Sequence, residues 1–210
     1  MEMLEDPSTR REVLELLKLE YETEKPCPHL TELIYCLRRS YFNRTAPLPP
    51  NDREILLFAL GFGLERLLLA SERKVVSGEK DGVSFSPDFL SFRAVFGELK
   101  TTRISANKMS QGVLGLPETW RIQILGYMHC LEVTEYSLTI LFLMGNYKPP
   151  FPEIMSYMLV ASQDELVSNW AYILRRRDIY MEGLRVGSPP EARVNCYDWE
   201  CKDCSYSLRC

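Results

Sequence analysis

No hydrophobic run in this sequence is long enough to cross a bilayer. The longest strongly apolar stretch, YSLTILFLM at 136–144, suits a buried strand instead. A secretory leader is missing too, because MEMLEDPSTRREVLELLKLE is acidic and amphipathic and holds no apolar core region. These two absences predict a cytoplasmic protein with no membrane partner. Positive charge is not in excess: the net charge is −4, so nucleic-acid binding has to come from a local patch. Histidine is scarce, and both copies, His29 and His129, are read as incidental. No internal repeat appears, which excludes a solenoid, and the lack of a phosphate-binding loop leaves no place for a nucleotide-driven motor.

What is present is enough apolar sequence, 46% of 210 residues, for one domain over 1–210 with a real core. Thr9 and Glu12 make a capping box ahead of Val13, Leu16, Leu17 and Leu19, which predicts a first helix. After the break EKPCPH a second is expected over Thr31–Asn43, and Asn51 with Glu54 opens a third through REILLFALGFGLERLLLA. Short segments follow: RKVVSGEKDGVSFS, DFLSFR and AVFGELKTT read as mostly antiparallel strands joined by tight turns. Residues 103–117 read as a loop. A helix over Glu118–Leu131, strands at 136–144 and 155–160, and a helix opened by Ser162 and Glu165 and running to about Gly183 complete a mixed α/β order. RRR at 175–177 reads as a solvated face of that helix.

The stretch SPDFLSFRAVFGELKTTR concentrates chemistry. Glu98 and Lys100 are two apart on a predicted strand and leave the same face. Asp88 joins them if the preceding strand pairs antiparallel with positions summing to an even number, as a turn at 93–95 would give. Two carboxylates can hold Mg²⁺ or Mn²⁺, with the Leu99 carbonyl as a further oxygen ligand. Such a metal acidifies a bound water and neutralises charge on a phosphate, while a lysine orients that water and stabilises the transition state. Taken alone, E-x-K equally describes a solvated hairpin with a Glu–Lys pair. Further on, Gln123 and Tyr127 share a helix face at i, i+4, and Glu65 is placed to supply a third acid.

In this order and spacing the sequence resembles the PD-(D/E)xK phosphodiesterases of RecB type. Pro87–Asp88 matches PD, Glu98–Leu99–Lys100 matches ExK, and Gln123 with Tyr127 matches that family's Q-x-x-x-Y helix. The resemblance implies a restriction-endonuclease-like α/β nuclease core, a mixed sheet flanked by helices. It departs from the family in carrying Glu65 where RecB-type enzymes place a histidine, and Ser84 or Ser86 where a glycine leads into the aspartate.

Cysteine is abundant where it is least expected: four of seven lie in CYDWECKDCSYSLRC, 196–210. The odd total and a reducing compartment disfavour a disulfide framework. Two readings stay open from the residues: a zinc knot of Cys196, Cys201, Cys204 and Cys210, or an iron–sulfur cluster with one ligand from elsewhere. RecB-like nucleases with a cluster draw one cysteine from a segment like YCPRRFYF and three from C-x2-C-x5-C. Here YCLRRSYF carries Cys36, and Cys201, Cys204 and Cys210 have that spacing. The resemblance therefore implies a [4Fe–4S] or [2Fe–2S] cluster on Cys36, Cys201, Cys204 and Cys210, in a lobe of 26–44 plus 196–210 that clasps the N- and C-terminal segments. Cys27 competes for the distant position, Cys130 reads as a buried small hydrophobe, and Cys196 is spare or the fourth zinc ligand. Arg38, Arg39, Arg44, Arg103 and Lys108 are candidate phosphate contacts, and Tyr41 and Phe42 either stack on bases or pack under the clasp.

A single chain with both motif sets resembles the CRISPR-associated exonucleases. That implies metal-dependent cleavage of single-stranded DNA or DNA ends, 5′→3′, with spacer precursors as substrate and a CRISPR integrase complex as partner. The rival expectation is a non-catalytic DNA-binding or scaffold subunit.

Overall fold

The computed structural model describes residues 8, 11, 27–69, 77–90, 94–103, 112–113, 115–143, 152–192, 196–202 and 204–210. All of the expected first helix but Arg11, residue Lys108 and most of the loop 103–117 lie outside them.

The helices are α1 (Leu30–Ile34), α2 (Leu37–Thr45), α3 (Asp52–Leu69), α4 (Glu118–Leu131), α5 (Gln163–Val186) and α6 (Asp198–Lys202). The strands are β1 (Gly78–Lys80), β2 (Val83–Phe85), β3 (Phe89–Leu90), β4 (Phe96–Thr102), β5 (Glu135–Phe142) and β6 (Glu153–Val160). No described helix is long and apolar enough to cross a membrane.

β1 and β2 form a hairpin whose Asp81 and Gly82 both have positive φ, 51° and 72°, as the Asp-Gly turn demands. The main sheet has the order β3-β4-β5-β6. β3 meets β4 and β5 meets β6 antiparallel, but β4 and β5 run parallel. The segments expected to pair antiparallel do so, and the one parallel pair follows from α4, which carries the chain back across the sheet, since such a crossover makes its flanking strands parallel.

β5 alternates buried and less buried residues, so Tyr136, Leu138, Ile140 and Phe142 all face the core. Ile122, Ile124 and Met128 of α4 and Leu166, Trp170 and Ile173 of α5 complete it, with Leu30, Leu33 and Ile34 of α1 wedged between. Gly126 allows that wedge, because a Cβ there would lie 2.6 Å from Leu30 and 2.9 Å from Ile173. α5 begins at the expected capping box, where Ser162 and Glu165 satisfy each other's backbone N–H. Asn51 and Glu54 exchange the same bonds at the start of α3.

The helix expected over Thr31–Asn43 is instead two, broken at Tyr35 and Cys36. Distant groups hold the break open. The buried Arg176 guanidinium donates to the carbonyls of Leu33, Ile34 and Tyr35, where α1 ends. Glu200 takes the Cys36 N–H at 2.9 Å. Arg176, only 5% exposed, thus also corrects the reading of RRR as a wholly solvated face. His29 is no bystander either, since its ring and Glu32 cap α1.

Candidate active site and cysteine clasp

β3 and β4 pair Phe89 with Gly97 and Leu90 with Phe96, so the paired numbers sum to an even value. Asp88 therefore falls opposite Glu98, its N–H bonded to the Gly97 carbonyl at 3.1 Å. On β5, Leu138 pairs with Glu98 and Ile140 with Lys100, so both charged side chains point to the face that the helices cover. β4 thus delivers an acid and a base into a nearly closed layer, where α4 supplies their polar partners.

Lys100 Nζ donates to Glu98 Oε1 at 2.6 Å and to Gln123 Oε1 at 2.9 Å. Gln123 Nε2 donates to Glu98 Oε1 at 2.7 Å and to the Tyr127 hydroxyl at 3.1 Å. One amide thus orients both members of the ion pair, because it accepts from the cation and donates to the anion. Asp88 Oδ2 accepts the Leu99 N–H at 2.7 Å, which fixes its carboxylate against β4.

Burial sets the electrostatics. It raises the Asp88 carboxyl above the ordinary aspartate range, against the pull of the Leu99 N–H and Lys100. Burial alone would lower Lys100, but the adjoining Glu98 carboxylate outweighs it, and the ammonium is held above the usual lysine value. The Tyr127 phenol is pushed well up by burial and by Glu98, so it stays neutral.

Asp88, Glu98, Lys100, Gln123 and Tyr127 thus lie together on one face of β3, β4 and α4. Glu65 lies on α3, and its side chain is outside the described residues. Among the described residues no three or more His, Cys, Asp or Glu side chains are grouped so as to hold a metal ion. The donors present are hard oxygens, two carboxylates and the Leu99 main chain, and this chemistry suits Mg²⁺ or Mn²⁺.

The second cluster lies where residues 36–48 meet residues 190–210. Arg38 donates to the carbonyls of Pro190 at 3.1 Å and Arg209 at 2.9 Å. The Tyr206 hydroxyl accepts the Leu48 N–H at 3.0 Å, and its ring stacks on Phe42 at 5.5 Å. Tyr41 is buried. The aromatic pair Tyr41 and Phe42 therefore packs under the clasp. Arg39 pairs with Glu54 at 3.6 Å and Arg44 with Glu32 at 3.4 Å, so these candidate phosphate contacts are engaged within the protein.

Cys196 Sγ stands 3.8 Å from Cys201 Sγ, and Cys36 lies against Cys196. Cys36 thus neighbours the tail, and the thiol it meets there is Cys196 rather than a member of the expected ligand set. Burial raises the Cys36 thiol, and burial with the neighbouring Cys201 and Cys36 takes Cys196 to about 12. Ligation would displace these protons. Cys27 points away, toward Glu79 at 3.6 Å. Cys130 is a partly buried thiol raised to about 12, as a small hydrophobe in the core would be. Glu200 escaped the sequence reading: its Oε1 holds Cys36 and its Oε2 holds the Tyr197 N–H at 2.9 Å. In the sequence it is one of three carboxylates in the cysteine run, with Asp198 and Asp203, and nothing local singles it out.

No protein-family model matches the chain, and no curated protein does. Among solved structures the chain is similar to SSO0001 over 96% of its own length and 95% of that chain, with a TM-score of 0.60 and 19% identity. That likeness shows a shared fold. Looser likenesses reach a phage-related exonuclease from Haemophilus somnus 129PT, with TM-score 0.49, 10% identity, and 81% and 99% of the two chains covered. An alkaline exonuclease, LHK-Exo from Laribacter hongkongensis, follows at TM-score 0.46, 12% identity, and 82% and 97% covered. The fold assignment rests on the first of these.

Proposed function

We propose that the chain is a divalent-metal-dependent DNA exonuclease that cleaves phosphodiesters by in-line hydrolysis. The observation that carries this reading is the bonded set Asp88–Leu99 and Glu98–Lys100–Gln123–Tyr127, assembled on one sheet face. Asp88, Glu98 and the Leu99 carbonyl, with Glu65, would hold Mg²⁺ or Mn²⁺, which supplies an acidified water and charge neutralisation at the phosphate. Lys100, kept as an ammonium, faces the developing negative charge and orients the attacking water. Gln123 fixes the lysine's direction, and Tyr127 buttresses Gln123.

Action 5′→3′ on single-stranded DNA, spacer precursors as substrate and an integrase complex as partner follow from the resemblance to CRISPR-associated exonucleases. The cluster on Cys36, Cys201, Cys204 and Cys210 belongs to the same reading. Its donors are soft thiolates from two segments that the clasp ties together, and they suit iron–sulfur ligation. A structural role is the economical one.

The test is Mn²⁺-dependent degradation of end-labelled single-stranded DNA. Lys100→Ala and Asp88→Ala are each expected to lower the rate by about 10²- to 10³-fold, the usual size for loss of one transition-state-stabilising group. A wild-type protein inert with Mg²⁺, Mn²⁺ and Co²⁺ alike would favour the non-catalytic scaffold. Iron and acid-labile sulfide, measured in protein purified without oxygen, test the cluster, and stoichiometric zinc in their place would overturn it.

A further inference from the structure

The clasp carries aromatic rings that the proposed chemistry leaves unused. Trp199 on α6 is 54% exposed. Tyr197 stacks on its indole with centroids 5.9 Å apart and planes 16° from parallel. Tyr35 meets the same indole in a T-shaped contact, at 6.3 Å and 88°. With Tyr197 stacked over one face, more than half of the Trp199 surface stays open to solvent.

Two features make this more than a stray surface tryptophan. The first is rigidity: the buried Glu200 bonds the Tyr197 N–H and the Cys36 N–H, each at 2.9 Å, and so pins the rings to the turn between α1 and α2. The second is continuity with the candidate site, because Tyr35, in that same turn, lies within electrostatic reach of Lys100.

We propose that Trp199, backed by Tyr197, is a stacking platform for an unpaired nucleobase of single-stranded DNA whose phosphate is held near Lys100. This deepens the nuclease reading and rests on it. An unpaired base fits because it offers a free π-face, whereas a duplex base is already stacked on its neighbours. The exposed Asp198 beside the indole adds no attraction for phosphate, so the platform acts through stacking rather than charge.

The experiment measures equilibrium binding of a labelled oligothymidylate, and of the same oligomer with abasic sites, to the full chain with EDTA present, so that no metal-dependent cleavage occurs and Lys100 is intact. Trp199→Ala is expected to weaken oligothymidylate binding roughly 10- to 100-fold, with Trp199→Phe keeping most of it. The salt slope should not change, since no phosphate contact is lost. Abasic DNA should bind the parent and Trp199→Ala alike. Equal oligothymidylate affinity for parent and Trp199→Ala would overturn the platform, as would an equal loss on abasic DNA. Hydrolysis of methyl p-nitrophenyl phosphate with Mn²⁺, with Lys100 intact, tests the nuclease separately: Trp199→Ala should retain it. A wild type that hydrolyses neither this ester nor DNA while the binding difference persists would defeat the nuclease reading and leave the platform standing.

Discussion

The links around Lys100 run from side chain to side chain, whereas those around Cys36 run through the main chain. At the first site Glu98, Lys100 and Gln123 satisfy one another at 2.6–2.9 Å inside the sheet–helix layer. At the second, Glu200, Arg38 and Tyr206 grip backbone atoms, while Cys196 Sγ stands 3.8 Å from Cys201 Sγ. The electrostatic site is therefore organised by its own charges and keeps its geometry without a ligand. The clasp is held through its main chain rather than through its thiols.

Removing one charge from the first site should have the largest effect. Glu98→Ala leaves the Lys100 ammonium, 19% exposed, with a neutral amide as its hydrogen-bond partner. Breaking a buried pair this way costs about 3–5 kcal/mol, readable as a lower urea midpoint of the metal-free protein. A loss below about 1 kcal/mol would mean that the pair behaves like a surface ion pair instead.

Glu200→Ala strikes the frame and should cost less, about 1–3 kcal/mol, because two part-buried N–H groups lose their acceptor. Hydrogen exchange should then rise at Cys36 and Tyr197 while the amides of α4 and β5 stay protected. Uniform loss of protection would show that clasp and core form one cooperative unit.

The smallest effect has the opposite sign. Burial raises the pKa of Asp88, so its contribution to stability is fully present below the ordinary value of 3.8 and lost as pH rises through the folded value. Metal-free Asp88→Asn is therefore expected to melt slightly above wild type at pH 7 and to lose that advantage in acid. Mn²⁺ should raise the melting temperature of wild type and not of the variant. An advantage that does not vary with pH would assign the effect to packing.

Local pattern carried the reading of the first site. Glu98 and Lys100 share a strand face by the two-residue repeat, Gln123 and Tyr127 share a helix face, and Ser162 with Glu165 marks the start of α5. What could not be read was whatever depends on partners far along the chain. The break at Cys36 needs Arg176 and Glu200, and no window around YCLRRSYF contains them. The parallel pairing of β4 and β5 was equally hidden, because alternation looks the same for either direction, and only the crossover by α4 decides it. The ligand set that the resemblance implies leaves Cys196 out, yet its Sγ stands 3.8 Å from that of Cys201.

Arg176 and Glu200 also impose an order of assembly. The turn that presents Cys36 is held by residues more than 140 positions further along the chain. While the ribosome is still making α5, the segment YCLRRSYF has nothing to stop it from continuing as one helix. The N-terminal cysteine acquires its presenting geometry only after α5 has docked and the Glu200 segment has followed. Any cofactor that needs Cys36 in place must then be inserted after these late events, and a nascent chain halted before them would expose the thiol without the site.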